Sequence, residues 1–334
     1  MPEYKFQHYL PRSYLAHFAG DHHRITVRRR GAEPITSNIS KAGGENHLYS
    51  VVLPDGTRDV TAEKTLSKFE TVAARALNEL RNKSQIPRSG SQGRQAVSLF
   101  LGLQMTRTPE QANRYLFAQN AIDKLGGIER IDTNTMHDFL RDHHLGFDPE
   151  EPEVKAATDI VHAMHNMGLP TKAELLQDMF DTTMKTFAPL LSNMQWSLER
   201  SSKPRLATCD RLPAIWCRNP DGEDYKGFGI MDADELWFPV SSYMLLILRR
   251  NESEKVIDVD AERFEFVNSH LSRHCYQAVF HEPSNVDRIG SFPMATRRPS
   301  VRFWTAPLID DSTSSQAGAT EREALHQWIP YRDG

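Results

Sequence analysis

Cysteine is scarce in this chain: Cys209, Cys217 and Cys275 are the three among 334 residues, with no Cys-x-x-Cys pair. An odd, sparse set argues against a disulfide framework and against a cysteine-rich zinc site, so reduced, packed thiols are expected. Long apolar runs are also lacking. The longest lies near Tyr243–Leu248, far below the ~20 residues that a membrane helix needs. The opening MPEYKFQHYLPRSYL has neither an apolar signal core nor a small-residue cleavage site, and a cytoplasmic location is expected. GxxxxGK[ST], GxGxxG and GxSxG are absent. P-loop nucleotide hydrolysis, a Rossmann dinucleotide site and a hydrolase nucleophile elbow are therefore unsupported. There is no internal repeat and no excess of one charge sign. Lys and Arg total 40 against 44 Asp and Glu, for a net charge of -4. That balance argues against wholesale affinity for nucleic acid while allowing a local basic patch.

With 39% hydrophobic and 25% charged residues the balance is globular. Ile25–Arg30 and His47–Leu53 read as strands, and the turn residues Pro54, Asp55 and Gly56 close this β-rich stretch. At Thr61 the period changes. Leu66, Phe69, Ala73, Ala76 and Leu80 recur at three- and four-residue steps, which predicts an amphipathic helix over 61–81 with Thr61 as its cap. Further helices are expected at Gln95–Arg107, from Pro109 to about Lys124, from Asp148 onward, and from Thr171 to about Ala188. After Pro189 the pattern returns to strands at Trp196–Arg200, Leu206–Asp210, Lys226–Met231, Leu236–Val240 and Met244–Arg249. A helix over Asp260–Cys275 and a strand at Tyr276–His281 come last. The Ser/Thr/Ala-rich stretch after Asp310 reads as a partly mobile tail, 310–334.

The expected class is α+β. A mainly helical lobe at about 61–188 lies between β-rich N-terminal and C-terminal segments that share a sheet. Residues 1–309 form one domain in this parsing; a split near Pro189 is the rival.

Several stretches resemble the domain of unknown function 4238 family, found mostly in bacteria. The family's opening His-x-[Val/Leu]-Pro-x-x-Tyr-Leu-x-x-Phe is similar to His8-Tyr9-Leu10-Pro11-Arg12-Ser13-Tyr14-Leu15-Ala16-His17-Phe18. Its Glu-x-x-x-Tyr element resembles Glu45–Tyr49, and its two spaced helical glutamates resemble Glu63 and Glu70. Gln104–Pro109 is similar to its Gln-x-x-Arg-Thr-Pro helix end. A later Thr-Ser-Asp-Asn-Pro element is matched in part by Thr208–Pro213, which keeps the aspartate as Asp210, and a helical Asn is matched by Asn268. The resemblance singles out His8, Glu45, Glu63, Glu70, Gln104, Arg107, Asp210 and Asn268, and Arg12 lies within the opening signature. It supplies no reaction, so chemistry has to.

Glu63 and Glu70 lie two helical turns apart, beside the apolar stripe. A carboxylate there is paired, has a raised pKa or binds a metal. Gln104 falls on the apolar stripe of its own helix and needs partners. Arg107 is placed to pair with Glu63 or Glu70, or to hold an anion by bidentate contact. The same contacts would also make a purely structural polar core. His8 beside these acids would complete an acid/base set or, with Glu45, Glu63 and Glu70, hold a divalent cation such as Mg or Mn. Arg263 and His270 fit a loose Arg-x(4–6)-His spacing that arises by chance in a chain this rich in both. The acid-free run Arg81, Lys83, Arg88 and Arg94, and the turn Arg297-Arg298, are the candidate contacts for nucleic acid or nucleotide; solvated basic loops are the competing reading.

Two functions stand as expectations. One is hydrolysis of a phosphoester-containing substrate, as by a nuclease or a nucleotide-processing effector in bacterial defence. His8, Glu63, Glu70 and Asp210 would be catalytic, and Arg12, Gln104, Arg107 and Asn268 would bind substrate. The other is a non-catalytic binding module in which the same residues form a buried polar core.

Overall fold

Where side-chain patterning changes period the backbone changes element, and the computed structural model, which describes residues 5–53, 55–143, 148–218, 230 and 233–294, keeps that order. The N-terminal part holds β1 (Phe6–His8), the single turn α1 (Arg12–Leu15), β2 (Arg24–Arg29), β3 (Ile35–Asn38), β4 (Gly44–Asn46), β5 (Val51–Val52) and β6 (Arg58–Asp59). The helical middle comprises α2 (Thr61–Lys83), α3 (Gln92–Thr106), α4 (Pro109–Tyr115), α5 (Phe117–Leu125), α6 (Thr133–His143), α7 (Glu151–Met167), α8 (Lys172–Thr182), a π turn (Thr183–Phe187) and α9 (Ala188–Asn193). Then come β7 (Gln195–Arg200), β8 (Thr208–Cys209), β9 (Ala214–Trp216), β10 (Glu235–Ser241), β11 (Met244–Arg249), β12 (Lys255–Asp258), α10 (Ala261–His274), β13 (Ala278–His281) and α11 (Val286–Gly290). Lys226–Met231 and the stretch after Asp310 lie, apart from Ile230, outside the described residues.

The chain divides into two compact units. The first takes in residues 1–111, 171–216 and 233–295 and carries every strand found among the described residues. Its larger sheet has the order β12-β7-β11-β10-β9, antiparallel except where β12 pairs with β7. Strand β10 is buried along its whole length and β11 at its four central residues, Leu245–Leu248. Unbroken apolar runs of this kind suit central strands covered on both faces. The smaller sheet, β3-β2-β13-β8, is where the two ends of the chain meet: Val27 lies opposite Phe280 and Arg29 opposite Ala278. The α+β class and the shared sheet are both as the sequence pattern implies.

The second unit centres on α5, α6 and α7. Phe117, Ala121, Met136, Leu140, Ala157 and Val161 make its core, with the Phe117 and Phe139 rings edge to face at 5.5 Å.

Several boundaries shift for local reasons. Thr61 is the first helical residue of α2 and not its cap. Asp59 does that work, accepting from the Thr61 backbone N–H at 2.8 Å and from its hydroxyl at 2.6 Å. The helix expected from Pro109 is two helices, closed and reopened at Leu116. The one expected at Asp148 begins at Glu151, with proline in its first turn. Thr171 and Glu174 form the complete capping box that their spacing implies. The π turn packs against α3 at Gly102. A Cβ at Gly102 would come within 3.2 Å of both Thr183 and Phe187, so glycine permits the approach, and the Thr106 and Thr183 hydroxyls meet there at 2.8 Å.

The opening signature forms core. Leu10, Tyr14, Leu15 and Phe18 are all buried. The Tyr14 ring stacks on Phe238 at 5.3 Å, and its hydroxyl donates to the Pro239 carbonyl and meets the Thr208 hydroxyl, both at 2.7 Å. These partners stand 225 and 194 positions along the chain. Tyr14 thus ties the signature to β10 and β8. Tyr14→Phe keeps the ring and leaves the Pro239 oxygen without its donor, so a loss of about 1–3 kcal/mol is expected in denaturant unfolding. An unchanged midpoint and slope would show that the hydroxyl carries no stability.

Candidate functional site

Among the residues singled out by sequence, the structure gathers one group around Arg107. This residue closes α3, and its side chain is fully enclosed. Its Nη1 meets the Glu70 carboxylate from α2 at 2.6 Å. With the Gln104 amide turned so that its oxygen faces the guanidinium, Gln104 accepts from Arg107 Nε at 3.0 Å and Nη2 at 2.6 Å. The same amide then donates to the Tyr9 carbonyl at 3.1 Å. The Tyr49 hydroxyl donates to the Arg107 carbonyl at 2.9 Å, and the Tyr49 N–H donates to Gln7 Oε1 at 2.6 Å. Two helices and the β1–β4 region are therefore joined through one guanidinium. Of the two acids that helical spacing offers Arg107, Glu63 and Glu70, Glu70 is the one it meets, and the Gln104 contact is not foreseen. Tyr9, Tyr49 and Gln7 are not foreseen. The one signal available for Gln7 and Tyr9 is that they flank His8 in the opening signature.

Glu63, one turn into α2, is half-buried beside this pair. Burial and the neighbouring Glu70 charge push its carboxyl up to about 7, with Arg107 pulling the other way. Burial lifts the Tyr49 phenol far above its usual range; Arg107 opposes this, while Glu63, Glu70 and Glu45 add to it. These linked effects place Glu45, Glu63, Glu70, Tyr49 and Arg107 within one electrostatic neighbourhood.

His8 ends β1 and lies opposite Gly44 of β4. Any side chain at Gly44 would meet the Gln7 carbonyl and the Phe6 ring, both at 2.7 Å, so glycine lets the two strands close beside His8. Burial and the Arg12 charge lower the imidazole pKa, against Glu70 and the backbone at Ile39 and Ser40. Its Nε2 is shut off from solvent and has no hydrogen-bond partner. Arg12, at the start of α1, is exposed, as is Glu45 on β4.

Asp210 and Asn268 act otherwise than expected. The Asp210 carboxylate, 1% exposed, accepts from the backbone N–H groups of Tyr276, Gln277 and Ala278 at 2.8, 2.7 and 2.8 Å. Burial pushes it up to about 7 against those three donors. It influences Tyr9 electrostatically but is itself engaged in holding the start of β13. Asn268 accepts from the Ala207 N–H and donates to the Arg205 carbonyl, each at 2.8 Å, pinning an extended segment to α10. Both residues serve the backbone. Arg107, expected to bind substrate, is walled in by its partners.

The basic run also needs correction. Arg94 is a core residue: 1% exposed, paired with Glu254 at 2.6 Å, and 4.0 Å over the Trp196 ring. Arg81 donates to the Val240 carbonyl at 3.0 Å, and burial lowers its pKa to about 10. Lys83 and Arg88 are exposed. Arg297 and Arg298 lie outside the described residues. Arg263 pairs with Glu199 at 2.8 Å, and His270 bonds the Ile215 carbonyl, so the loose Arg/His spacing reflects packing.

Among the described residues, no group of three or more His, Cys, Asp or Glu is placed to hold a metal ion. The expected set Glu45, Glu63 and Glu70 is thus not assembled as a donor set. Cys209, Cys217 and Cys275 are not joined in disulfides. Among the described residues, no helix is long and apolar enough to cross a membrane.

The family described as Protein of unknown function (DUF4238) matches residues 7–285, and the chain belongs to it. No curated protein and no solved structure matches the chain.

The Arg107 network can be tested at two of its members. Arg107→Ala leaves Glu70 without its cation and Gln104 without its donors, and a loss of about 3–5 kcal/mol is expected in equilibrium unfolding. The second test concerns pH. Glu63 has its folded value raised from 4.5 to about 7, so its stabilising share is full below 4.5 and is lost as pH rises through about 7. Glu63→Gln should therefore melt above the parent at pH ~8 and level with it at pH ~4. A difference that is the same at both pH values would contradict this reading of Glu63.

Proposed function

We propose that this chain is a cytoplasmic hydrolase of phosphoester-containing substrates, a nuclease or nucleotide-processing effector in kind, working from Glu63. The supporting observation is that carboxyl, half-buried, shifted to about 7 and adjacent to Glu70, at the edge of a fully satisfied network. A group that is half ionised near neutral pH is matched to proton transfer. In this reading Glu63 takes the proton of an attacking water. Arg107 and Gln104 position Glu70, which sustains the shift. His8, whose Nε2 has no hydrogen-bond partner, accepts the water's proton from Glu63 and passes it to the leaving group, so both side chains end as they began. Exposed Arg12 is the cation available to a phosphoryl group.

The second reading, a non-catalytic protein- or nucleic-acid-binding module, is favoured by a specific fact. Arg107, Asp210 and Asn268 all have their polar atoms engaged inside the protein.

Bis(p-nitrophenyl) phosphate and a fluorogenic oligonucleotide, each with and without Mg²⁺ or Mn²⁺, separate the two. The hydrolase reading expects turnover that rises through pH about 7, a limb that disappears in Glu63→Gln while the fold persists. A parent protein inert towards both substrates at every pH, with and without metal, would sink the hydrolase and leave the module.

A further inference from the structure

The last turn of α2 holds a cation with no acid against it. Arg81 is half-buried there. Its Nη1 donates to the Val240 carbonyl at 3.0 Å and its Nη2 to the Asn78 side-chain oxygen. A guanidinium has five N–H groups, so three are left unbonded, and Nε is shut off from solvent without a partner. Arg94 and Arg107 each meet a carboxylate at 2.6 Å. Arg81 makes no ion pair among the described residues. The carbonyl end of α2 answers its charge only in part, and a half-buried cation without a counter-ion is costly.

The end of β10 draws a second group to the same place. The pairing of β10 with β11 slips between Pro239 and Ser241, and a bulge of this kind re-aims backbone groups. Here the Val240 carbonyl meets Arg81. Two residues on, the Ser242 N–H donates to the His17 carbonyl at 3.0 Å. His17 belongs to the 3-10 turn Ala16–Phe18 and is half-buried. Its ring makes no hydrogen bond among the described residues. Burial first, and the Arg81 charge second, lower its pKa to about 4. Near pH 7 the ring is therefore neutral, with one N–H to give.

Asn78 adds a third donor. It is exposed, and because its oxygen is taken by Arg81, its amide N–H groups are the part left over. The acids close by in the chain or across the turn are engaged elsewhere. Glu79, two positions before Arg81 and so about 200° around the helix, is exposed and pairs with Lys83 at 3.6 Å. Arg205, whose N–H meets the Ser242 carbonyl, has its own side chain 3.9 Å from Glu265. Three donor groups approaching from α2 and from the turn before β2 suit an anion with three terminal oxygens better than a flat carboxylate.

We propose that Arg81, His17 and Asn78 form a binding site for a phosphate dianion, free or as the end of a monoester. The site does not rest on the hydrolytic reading of Glu63, which lies eighteen residues earlier on α2, about 27 Å along the helix axis.

The test is isothermal titration calorimetry of the full chain with inorganic phosphate, phenyl phosphate and acetate at matched ionic strength. Saturable phosphate binding is expected, with a Kd on the order of 1 mM or tighter. Asn78→Asp keeps the oxygen that Arg81 bonds and sets a negative charge among the donors. It should fold as the parent does and bind phosphate about tenfold more weakly or worse. His17→Ala should weaken binding by about threefold or more. In NMR titrations, saturating phosphate should lift the His17 midpoint above its value of about 4. Phenyl phosphate bound as tightly as phosphate upholds the site as one for a monoester; phosphate bound alone upholds it as one for the free ion. Four results would each overturn the proposal: no saturable binding of either ligand; acetate bound as tightly as phosphate; parental affinity in both Asn78→Asp and His17→Ala; or binding that survives Asn78→Asp and is lost in Arg12→Ala, which would place the ion beside Glu63. If His17→Ala fails to fold, Asn78→Asp, at an exposed position, decides the matter.

Discussion

A guanidinium cut off from water has to be answered by protein, and Arg107 is answered by residues from four stretches of the chain. Glu70 brings α2, Gln104 brings the preceding turn of α3, and through Gln104 the Tyr9 carbonyl brings the opening signature. The Tyr49 hydroxyl, on the backbone oxygen of Arg107, adds the strand region before α2. An arginine planted this deep is costly to desolvate. Here the cost is offset by geometry, since the planar fork meets a carboxylate and an amide together. The acids of α2 inherit their properties from this arrangement. Glu70 is held as the ion-pair partner, and Glu63 is driven towards neutrality by its burial first and by the adjacent Glu70 charge second.

The same use of polar contacts recurs elsewhere. Asp210 gathers three consecutive backbone N–H groups at the start of β13, and Asn268 clasps both polar groups of the 205–207 segment. Arg94 crosses from α3 to Glu254 and stacks on Trp196. Each replaces a hydrogen bond that regular secondary structure would otherwise supply, at a place where the chain leaves a helix or a strand. Buried polar residues in this fold mostly hold irregular backbone, which is why residue type alone is a poor guide to chemistry here.

Much of the architecture is legible in the sequence because periodicity is local. The stripe of α2, the Thr171–Glu174 box and the unbroken apolar run of β11 are written within a few residues of one another. The pairing of Arg107 with an acid of α2 is legible for the same reason, since both stand on predicted helices; which of Glu63 and Glu70 it takes, and that Gln104 joins it, are not. What is not legible depends on contacts distant in the chain. Nothing near Arg94 says that Glu254 and Trp196 will enclose it, so a basic, acid-free run reads as surface. Nothing near Asp210 says that residues 276–278 will turn their N–H groups towards it. The lowered pKa of His270 comes first from burial, with Arg211 adding to it, and spacing along α10 reveals neither.

The smaller sheet bears on how the chain comes to be folded at all. Strand β2 is synthesised long before its neighbour β13 leaves the ribosome, with the whole helical middle between them. Until then β2 has β3 on one side and a bare ladder of N–H and C=O groups on the other. The intervening helices can form as they emerge, because their bonds are local. The sheet cannot, and the nascent chain carries an adhesive edge until β13 arrives. The charged row Arg28, Arg29 and Arg30 at the end of that strand makes the waiting edge a poor template for another copy of itself.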